Sequence, residues 1–223
     1  LIFSEYAKNA IRMSALMHLP VINIFTHDSV GLGEDGPTHQ AVEQLTSLRI
    51  IPGMSVWRPS DVTETAISWR SSLEKLSGPS SLVLTRQTLP ELKRSKAQII
   101  SIKKGGYILM DCNSNIDAIL LSSGSEVHLC LEAAKTLKNN GLQIRVVSVP
   151  CLEEFLCQSK AYHNKVIPED CNNILAIEAG VGVCWDKLIG KKGMKITMDS
   201  FGVSAPGEQA LKHFGFTVSN VVN

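Results

Sequence analysis

The side chains best suited to chemistry lie in one glycine-rich stretch, residues 26–40. His27, Asp35 and His39 stand within it, among three glycines, Gly31, Gly33 and Gly36. Histidine can hold or pass a proton near neutral pH, and a carboxylate accepts hydrogen bonds from hydroxyl groups. Any one of these residues alone could simply stabilise a turn. Their concentration in one short stretch beside glycines favours a ligand site.

A nucleotide site is the main alternative for this stretch. The three glycines have the spacing G-x-G-x-x-G, and Asp61 follows roughly 20 residues later, as in dinucleotide-binding folds. Glu34 and Asp35, however, would repel a diphosphate. Five residues also separate Phe25 from Gly31, too many for the tight first turn of such a fold. The sequence therefore disfavours a nucleotide.

Alternating helices and strands must position these residues. Helices are predicted at about 4–18, 38–48, 61–76 (with Ser60 as N-cap), 125–139, 151–157 and 206–214. Strands are predicted at about 21–25, 54–58, 81–85, 107–110, 118–122, 143–149, 174–177 and 195–198. This alternation predicts an α/β fold of two three-layer α/β units with mainly parallel sheets. The 26–40 stretch then follows a strand, where open α/β sheets place ligands.

A polar stretch divides the chain into two parts. Residues 1–88 form the first predicted domain, 89–105 a linker and 106–223 the second domain. In the second domain, Gly124-Ser125-Glu126 lies where a strand meets a helix N-terminus, which could bind an anion. Ordinary helix capping is favoured there, because the Glu126 carboxylate would oppose an anion.

Composition excludes several function classes. With 223 residues, 44% hydrophobic, 19% charged and a net charge of +1, the chain has no basic footprint for nucleic acid, and it has no apolar run of membrane-span length. Its six cysteines contain no C-x-x-C pair, which predicts free thiols in a reducing compartment and no zinc site. Leu1 opens the chain without a methionine, as in a piece of a longer sequence.

The run from Thr26 to Gln40 closely resembles the signature of the transketolase family. Other segments resemble family landmarks in the expected order: 3–12, Arg58-Pro59, 85–89, 122–127, 178–180 and 201–206. The resemblance covers nearly the whole chain, and it is closer to transketolase proper than to deoxyxylulose-phosphate synthase. It implies that residues 1–88 are the C-terminal portion of a pyrimidine-binding domain and that 106–223 form the family's C-terminal domain.

The resemblance also implies site residues. Phe3 and Tyr6 resemble the aromatic wall around the thiamine aminopyrimidine, although simple core packing is an open alternative. His39 resembles the catalytic histidine at the carbonyl end of the donor. The substrate-binding residues implied are Asp35, which would read the C2 hydroxyl of the acceptor, and His27 with Arg86, which would hold the sugar phosphate.

The implied activity is the transfer of a two-carbon ketol unit from a ketose phosphate to an aldose phosphate. The implied enzyme is a cytoplasmic homodimer of the pentose phosphate pathway that uses thiamine diphosphate and Mg²⁺ or another divalent ion. The metal motif and the glutamate that activates the cofactor have no match in this sequence, so the chain alone is expected to be inactive. A dihydroxyacetone synthase-like enzyme and a non-catalytic binding or assembly module are the alternatives.

Overall fold

The computed structural model describes residues 1–112 and 115–223. The first half of the chain builds a three-stranded parallel sheet with strand order β1-β3-β2. Its elements in chain order are a 3₁₀ helix Ile2–Ala7, α1 Lys8–Leu16, β1 Ile22–Phe25, a 3₁₀ helix Val30–Leu32, α2 Gln44–Arg49, β2 Ser55–Trp57, α3 Val62–Glu74 and β3 Ser80–Val83.

The second half builds a five-stranded sheet with order β4-β6-β5-β7-β8, parallel except for β4. Its elements are α4 Lys96–Ile102, β4 Tyr107–Met110, β5 Ala118–Ser122, α5 Glu126–Asn139, β6 Ile144–Ser148, α6 Leu152–Leu156, α7 Lys160–Val166, β7 Ile174–Ile177, a 3₁₀ helix Gly182–Trp185, α8 Asp186–Ile189, β8 Met194–Ile196, α9 Gly207–His213 and α10 Val218–Val222. The predicted α/β fold with mainly parallel sheets is confirmed. Helices α4, α7, α8 and α10 were not predicted.

Apolar residues cover both faces of the second sheet. Leu120 and Val146 belong to the core on one face, which includes α5 and α10. Ile119 and Val147, their neighbours along the same strands, belong to a separate core on the other face, which includes α6 and α7. Strand side chains alternate between faces, so this unit has the three layers that the sequence predicts.

The second predicted helix is much shorter than expected. It was predicted from residue 38, but α2 begins at Gln44. Val42 is the reason, because its carbonyl accepts a hydrogen bond from the amide of Val181 (3.0 Å) and its side chain packs in the second unit's core. Docking on the other unit therefore overrides the helical pattern of residues 38–43.

The stretch predicted as a linker contains α4. Ser95 and Gln98 form a capping box at its start, in which each side chain bonds the other residue's backbone amide. Ser95, one of the polar residues that suggested a linker, is therefore the N-cap of a helix. The predicted boundaries at 88 and 106 stay a prediction.

The N-cap of α3 differs by one residue from the prediction. Asp61, not Ser60, caps the helix, and its Oδ1 accepts the amide of Glu64 at 2.9 Å. In the nucleotide alternative Asp61 would bind a ribose. In the structure it is buried and caps α3.

Within the described ranges, no helix is both long enough and apolar enough to cross a membrane.

Candidate functional site

His27 and Arg86 follow two neighbouring parallel strands. His27 comes just after β1, and Arg86 just after β3. In the register of these strands Phe25 pairs with Val83, and the amide of Leu84 donates to the carbonyl of Phe25 at 2.7 Å. The two loops therefore leave the same edge of the sheet side by side, where open α/β folds bind ligands.

The glycine-rich stretch is packed against its surroundings and forms no open diphosphate cradle. A Cβ at Gly31 would lie 1.9 Å from Nε2 of Gln87, in the loop after β3. Gly33 and Gly36 have φ values of +104° and +75°, which favour glycine, and they pack against Gly207 and Ser204 of the second unit. The glycines thus allow close approach between protein segments, in agreement with the sequence argument against a nucleotide.

Two side-chain hydrogen bonds fasten this stretch to the second unit. The buried side chain of Gln40 donates from Nε2 to the carbonyls of Gly33 (2.7 Å) and Val203 (2.9 Å). The hydroxyl of Ser204 donates to the carbonyl of Glu34 at 2.8 Å. Asp35 and His39 are exposed and lie between these fastened points. The loop is held at its backbone while its polar side chains face solvent.

Phe3, Tyr6 and His39 form a group of contacting rings. The rings of Phe3 and Tyr6 stack 5.8 Å apart with an interplanar angle of 22°, and His39 meets Phe3 edge-on at 5.6 Å. Phe3 is 58% exposed and Tyr6 is 88% exposed. Simple core packing is therefore wrong for both aromatics, since both side chains are mostly exposed to solvent.

The remaining candidate residues, His27, Asp35 and Arg86, lie in the loops that follow β1 and β3. In the part of the chain that the structure describes, no hydrogen bond or ion pair joins the side chains of His27, Asp35 and Arg86. Nδ1 of His27 lies 2.8 Å from Oγ1 of Thr26, and Nδ1 of His39 lies 2.9 Å from Oγ1 of Thr38. The exposed carboxylate of Asp35 and guanidinium of Arg86 are thus available to a ligand.

His27 has an uncommon backbone conformation. Its φ of 61° lies in the left-handed region, which costs a residue other than glycine about 1–3 kcal/mol and persists only where its neighbours fix it. The next residue, Asp28, is buried, and its Oδ2 accepts from Nε of Arg58 at 2.8 Å. The site loop is therefore tied to a second, buried set of charges.

This buried set centres on Glu178, at the end of β7. Arg49 binds its carboxylate with both terminal nitrogens, at 2.6 and 2.9 Å, and Ser123 and Trp185 donate to it at 2.6 and 2.9 Å. Burial alone would raise the pKa of Glu178, but the charges of Arg49 and Arg58 outweigh it and lower the pKa to about 2. The carboxylate is therefore ionised and joins the two units.

Arg58 lies in the same cluster and is fully buried. Its Nη1 donates to Glu126 and to the carbonyl of Ser123, and its Nη2 lies 2.7 Å from Oδ2 of Asp28. Burial opposes the charge of Arg58, but the nearby carboxylates of Glu126 and Asp28 prevail and raise its pKa. A buried ion that keeps its charge in this way must be matched by partners.

A further cluster fixes the stretch before α4. Arg94 pairs with Asp61 and, at 3.3 Å, with Glu64 of α3, and its Nε donates to the hydroxyl of Tyr107 at 2.6 Å. Burial is the largest cause that raises the pKa of Tyr107, followed by the charge of Glu64. Its hydroxyl therefore stays protonated and donates to Oε1 of Glu64 at 2.7 Å.

Sequence reasoning did not find these clusters. The landmarks Arg58-Pro59, 122–127 and 178–180 were noted separately, and the structure brings Arg58, Ser123, Glu126 and Glu178 together. Capping by Gly124-Ser125-Glu126 is wrong, because α5 has no side-chain cap and Glu126 instead binds Arg58 and the amide of Ala179 (3.0 Å). In the sequence, these segments were recognised only as family landmarks in the expected order, which does not show that their side chains meet in one buried cluster.

Comparison with known proteins agrees with this architecture. A model described as the transketolase pyrimidine-binding domain matches residues 1–91, and one described as the transketolase-like C-terminal domain matches residues 105–217. The chain belongs to the transketolase family. The resemblance seen in the sequence is thereby confirmed.

Individual transketolases are similar along the whole chain. Transketolase 1 of Vibrio vulnificus and the transketolase of Buchnera aphidicola are each 50% identical to it over 100% of the chain, which corresponds to 34% of those proteins. The crystal structure of a Pichia stipitis transketolase in complex with sedoheptulose-7-phosphate superposes with a TM-score of 0.92 at 39% identity, over 99% of this chain and 32% of that one. The transketolase of Campylobacter jejuni gives 0.90 at 39% identity, over 100% and 34%. The chain thus spans about a third of the length of the transketolases it matches.

The site roles implied for His27, Asp35, His39, Arg86, Phe3 and Tyr6 stay predictions. Across residues 1–112 and 115–223, no group of three or more histidine, cysteine, aspartate or glutamate side chains is placed to hold a metal ion. The described residues therefore offer an exposed aromatic and polar surface at this edge of the first sheet.

Proposed function

We propose that this chain supplies the aminopyrimidine and substrate side of a transketolase active site. The holoenzyme would transfer a two-carbon ketol unit from a ketose phosphate to an aldose phosphate. The observation that carries the proposal is the edge of the first sheet, where Asp35, His39 and Arg86 expose polar side chains in a fold shared with transketolases.

Thiamine diphosphate fits the aromatic part of this edge. The rings of Phe3 and Tyr6 are nearly parallel and mostly exposed, and a flat heteroaromatic ring would gain contact by stacking on them. When bound, thiamine diphosphate supplies an electron sink for cleavage of the bond beside a ketose carbonyl. Residues outside the described ranges would hold its diphosphate through Mg²⁺ or another divalent ion.

The polar side chains have distinct proposed tasks. His39, next to Phe3, would orient the donor carbonyl and move a proton at its oxygen. Asp35 would accept a hydrogen bond from the C2 hydroxyl of the acceptor. His27 and Arg86, on adjacent strand ends, would bind the sugar phosphate, for which the planar guanidinium is well shaped.

A homodimer in the cytoplasm is part of the proposal. The first unit exposes apolar side chains at the end of α1, with Leu16 at 61% and the following Met17 at 58%, and on its edge strand β1, where Ile24 is 50% exposed. Such a surface suits a protein partner. Cys130, Cys151, Cys157, Cys171 and Cys184 carry free thiols, which suits a reducing compartment.

Substitution of Arg86 tests the phosphate site. In the holoenzyme that carries this chain, we expect Arg86→Ala to raise KM for a ketose phosphate about tenfold to a hundredfold, because a charge-assisted hydrogen bond contributes roughly 1.5–3 kcal/mol. KM for the unphosphorylated ketose should hardly change. Arg70→Ala is the matched control, since Arg70 is an exposed arginine that pairs with Glu74 within α3. Equal effects of Arg86→Ala on both sugars would exclude the phosphate role.

A polypeptide of residues 1–223 alone should catalyse no ketol transfer. Stacking on Phe3 and Tyr6 offers roughly 1–3 kcal/mol per ring, and association consumes much of that gain. We therefore expect calorimetry with thiamine diphosphate and Mg²⁺ to show binding no tighter than roughly millimolar. Micromolar binding, or turnover in a coupled assay, would mean that the cofactor site lies wholly within this chain.

A further inference from the structure

The guanidinium of Arg58 occupies the place where the second unit would bind a ligand. From β5 the chain leads to β6 on one side, and from β7 it leads to β8 on the other, so the crevice between the ends of β5 and β7 is a topological switch point. Ligands of open α/β sheets bind at such points. Ser123 and Glu178 line this one, and both contact the Arg58 side chain.

The second unit is shaped around this arginine. Gly124 has a φ of +60°, and a Cβ there would lie 2.7 Å from Cζ of Arg58. The amide of Arg58 donates to the carbonyl of Pro150 at 2.7 Å, and its carbonyl accepts from the amide of Gly124 at 2.9 Å. Backbone and side chain of Arg58 are thus fixed by the second unit, although the residue follows β2 of the first.

The other end of the contact is the substrate loop. Nε and Nη2 of Arg58 lie 2.8 and 2.7 Å from Oδ2 of Asp28, whose side chain is only 1% exposed. Asp28 directly follows His27, the residue in the left-handed conformation. Strand β1 fixes the chain before His27, and Arg58 fixes it after.

We propose that Arg58 is a positioning residue, which holds Asp28 and thereby sets the backbone of His27 for the phosphate of the sugar. This inference rests on the proposed function of His27. It assigns to the second unit a role in substrate recognition, exerted through a buried ion pair and without direct contact with the substrate.

Arg49 provides a matched control. It is also a buried arginine that pairs with Glu178 and joins the two units, but among the described residues no hydrogen bond or ion pair links its side chain to the 26–40 stretch. If Arg58 serves only to join the units, Arg58→Lys and Arg49→Lys should have similar consequences. If it positions His27, only Arg58→Lys should alter phosphate recognition.

The test measures KM and kcat of the holoenzyme for a ketose phosphate and for the unphosphorylated ketose. We expect Arg58→Lys to raise KM for the phosphorylated sugar about tenfold, as small misplacements in active sites do, with kcat and the unphosphorylated KM within about twofold. Arg49→Lys should leave both KM values within about twofold. In a His27→Ala background Arg58→Lys should add nothing, because the two residues act through one contact.

The inference would be overturned if Arg58→Lys raised KM equally for both sugars, or if Arg49→Lys raised KM for the phosphorylated sugar in the same way. It would also be overturned if Arg58→Lys raised that KM further in the His27→Ala background. Should Arg58→Lys fail to fold, Asp28→Asn tests the same contact, with Asp61→Asn as control because Asp61 pairs with Arg94 away from the loop. If His27→Ala keeps its preference for phosphorylated sugar, the proposed role of His27 fails and the inference falls with it. If His27→Ala loses that preference while Arg58→Lys and Asp28→Asn keep it, only the inference fails.

Discussion

Two regions of this chain use polar side chains in opposite ways. On the edge of the first sheet, Asp35, His39 and Arg86 are exposed, and the carboxylate and the guanidinium have no protein partner among the described residues. Between the units, Arg58 and Glu178 are fully buried, and each contacts several charged or polar groups.

The difference separates the proposed direct contact with a ligand from the joining of the two units. Exposed groups remain hydrated, so they add little to stability and can exchange water for a ligand. Buried ions lose their hydration and are tolerated only with well-placed partners, so removing one partner leaves an uncompensated charge. We therefore expect substitutions on the sheet edge to change catalysis with little loss of stability. Substitutions in the interface should change stability, even where, as at Arg58, they also act on the proposed phosphate site.

The largest effect on folding is expected at Glu178. Glu178→Ala would leave Arg49 and Arg58 short of a partner, and it should lower the free energy of unfolding by about 3–5 kcal/mol. Asp186→Ala is the control, because Asp186 forms a surface pair with Lys195 and should change the free energy by less than about 1 kcal/mol. Urea unfolding measures both. If both variants lost a similar free energy of unfolding, burial would not explain how much an ion pair contributes to stability.

At His39 the expected loss is catalytic. His39→Ala should lower kcat about a hundredfold, because a positioned proton donor or acceptor contributes that much, while unfolding by urea should hardly change. His213→Ala is a control of the same type, since His213 is also exposed and also meets an aromatic ring, that of Phe214, edge-on. Steady-state assays compare the two, and unchanged turnover for His39→Ala would reduce His39 to a structural residue.

The sheet edge of the first unit could be predicted from the sequence, because the residues that indicate it lie close together along the chain. The alternation of helices and strands gave the α/β class, and the glycines, histidines and aspartate lie within residues 26–40. Even there, α2 was extended too far toward its N-terminus, since nothing near Val42 shows that its carbonyl binds an amide 139 residues later, that of Val181.

The interface could not be predicted in this way. Arg58 lies 65 residues from Ser123 and 68 from Glu126, and Arg49 lies 129 residues from Glu178. A single sequence shows these arginines and glutamates as ordinary charged residues, for which exposure is the usual state. Only the arrangement of the two sheets brings the charges together.

The most direct test of this separation is His27→Ala, with KM and unfolding measured on the same protein. His18→Ala is its control, because His18 is also a histidine in the left-handed conformation (φ 55°) but precedes β1 at the other end of the strand. We expect His27→Ala to raise KM for a ketose phosphate about tenfold to a hundredfold, with the unphosphorylated KM nearly unchanged. Both variants should change the free energy of unfolding by less than about 1 kcal/mol. A large loss of stability in His27→Ala, or KM values that rise equally for both sugars, would contradict the account.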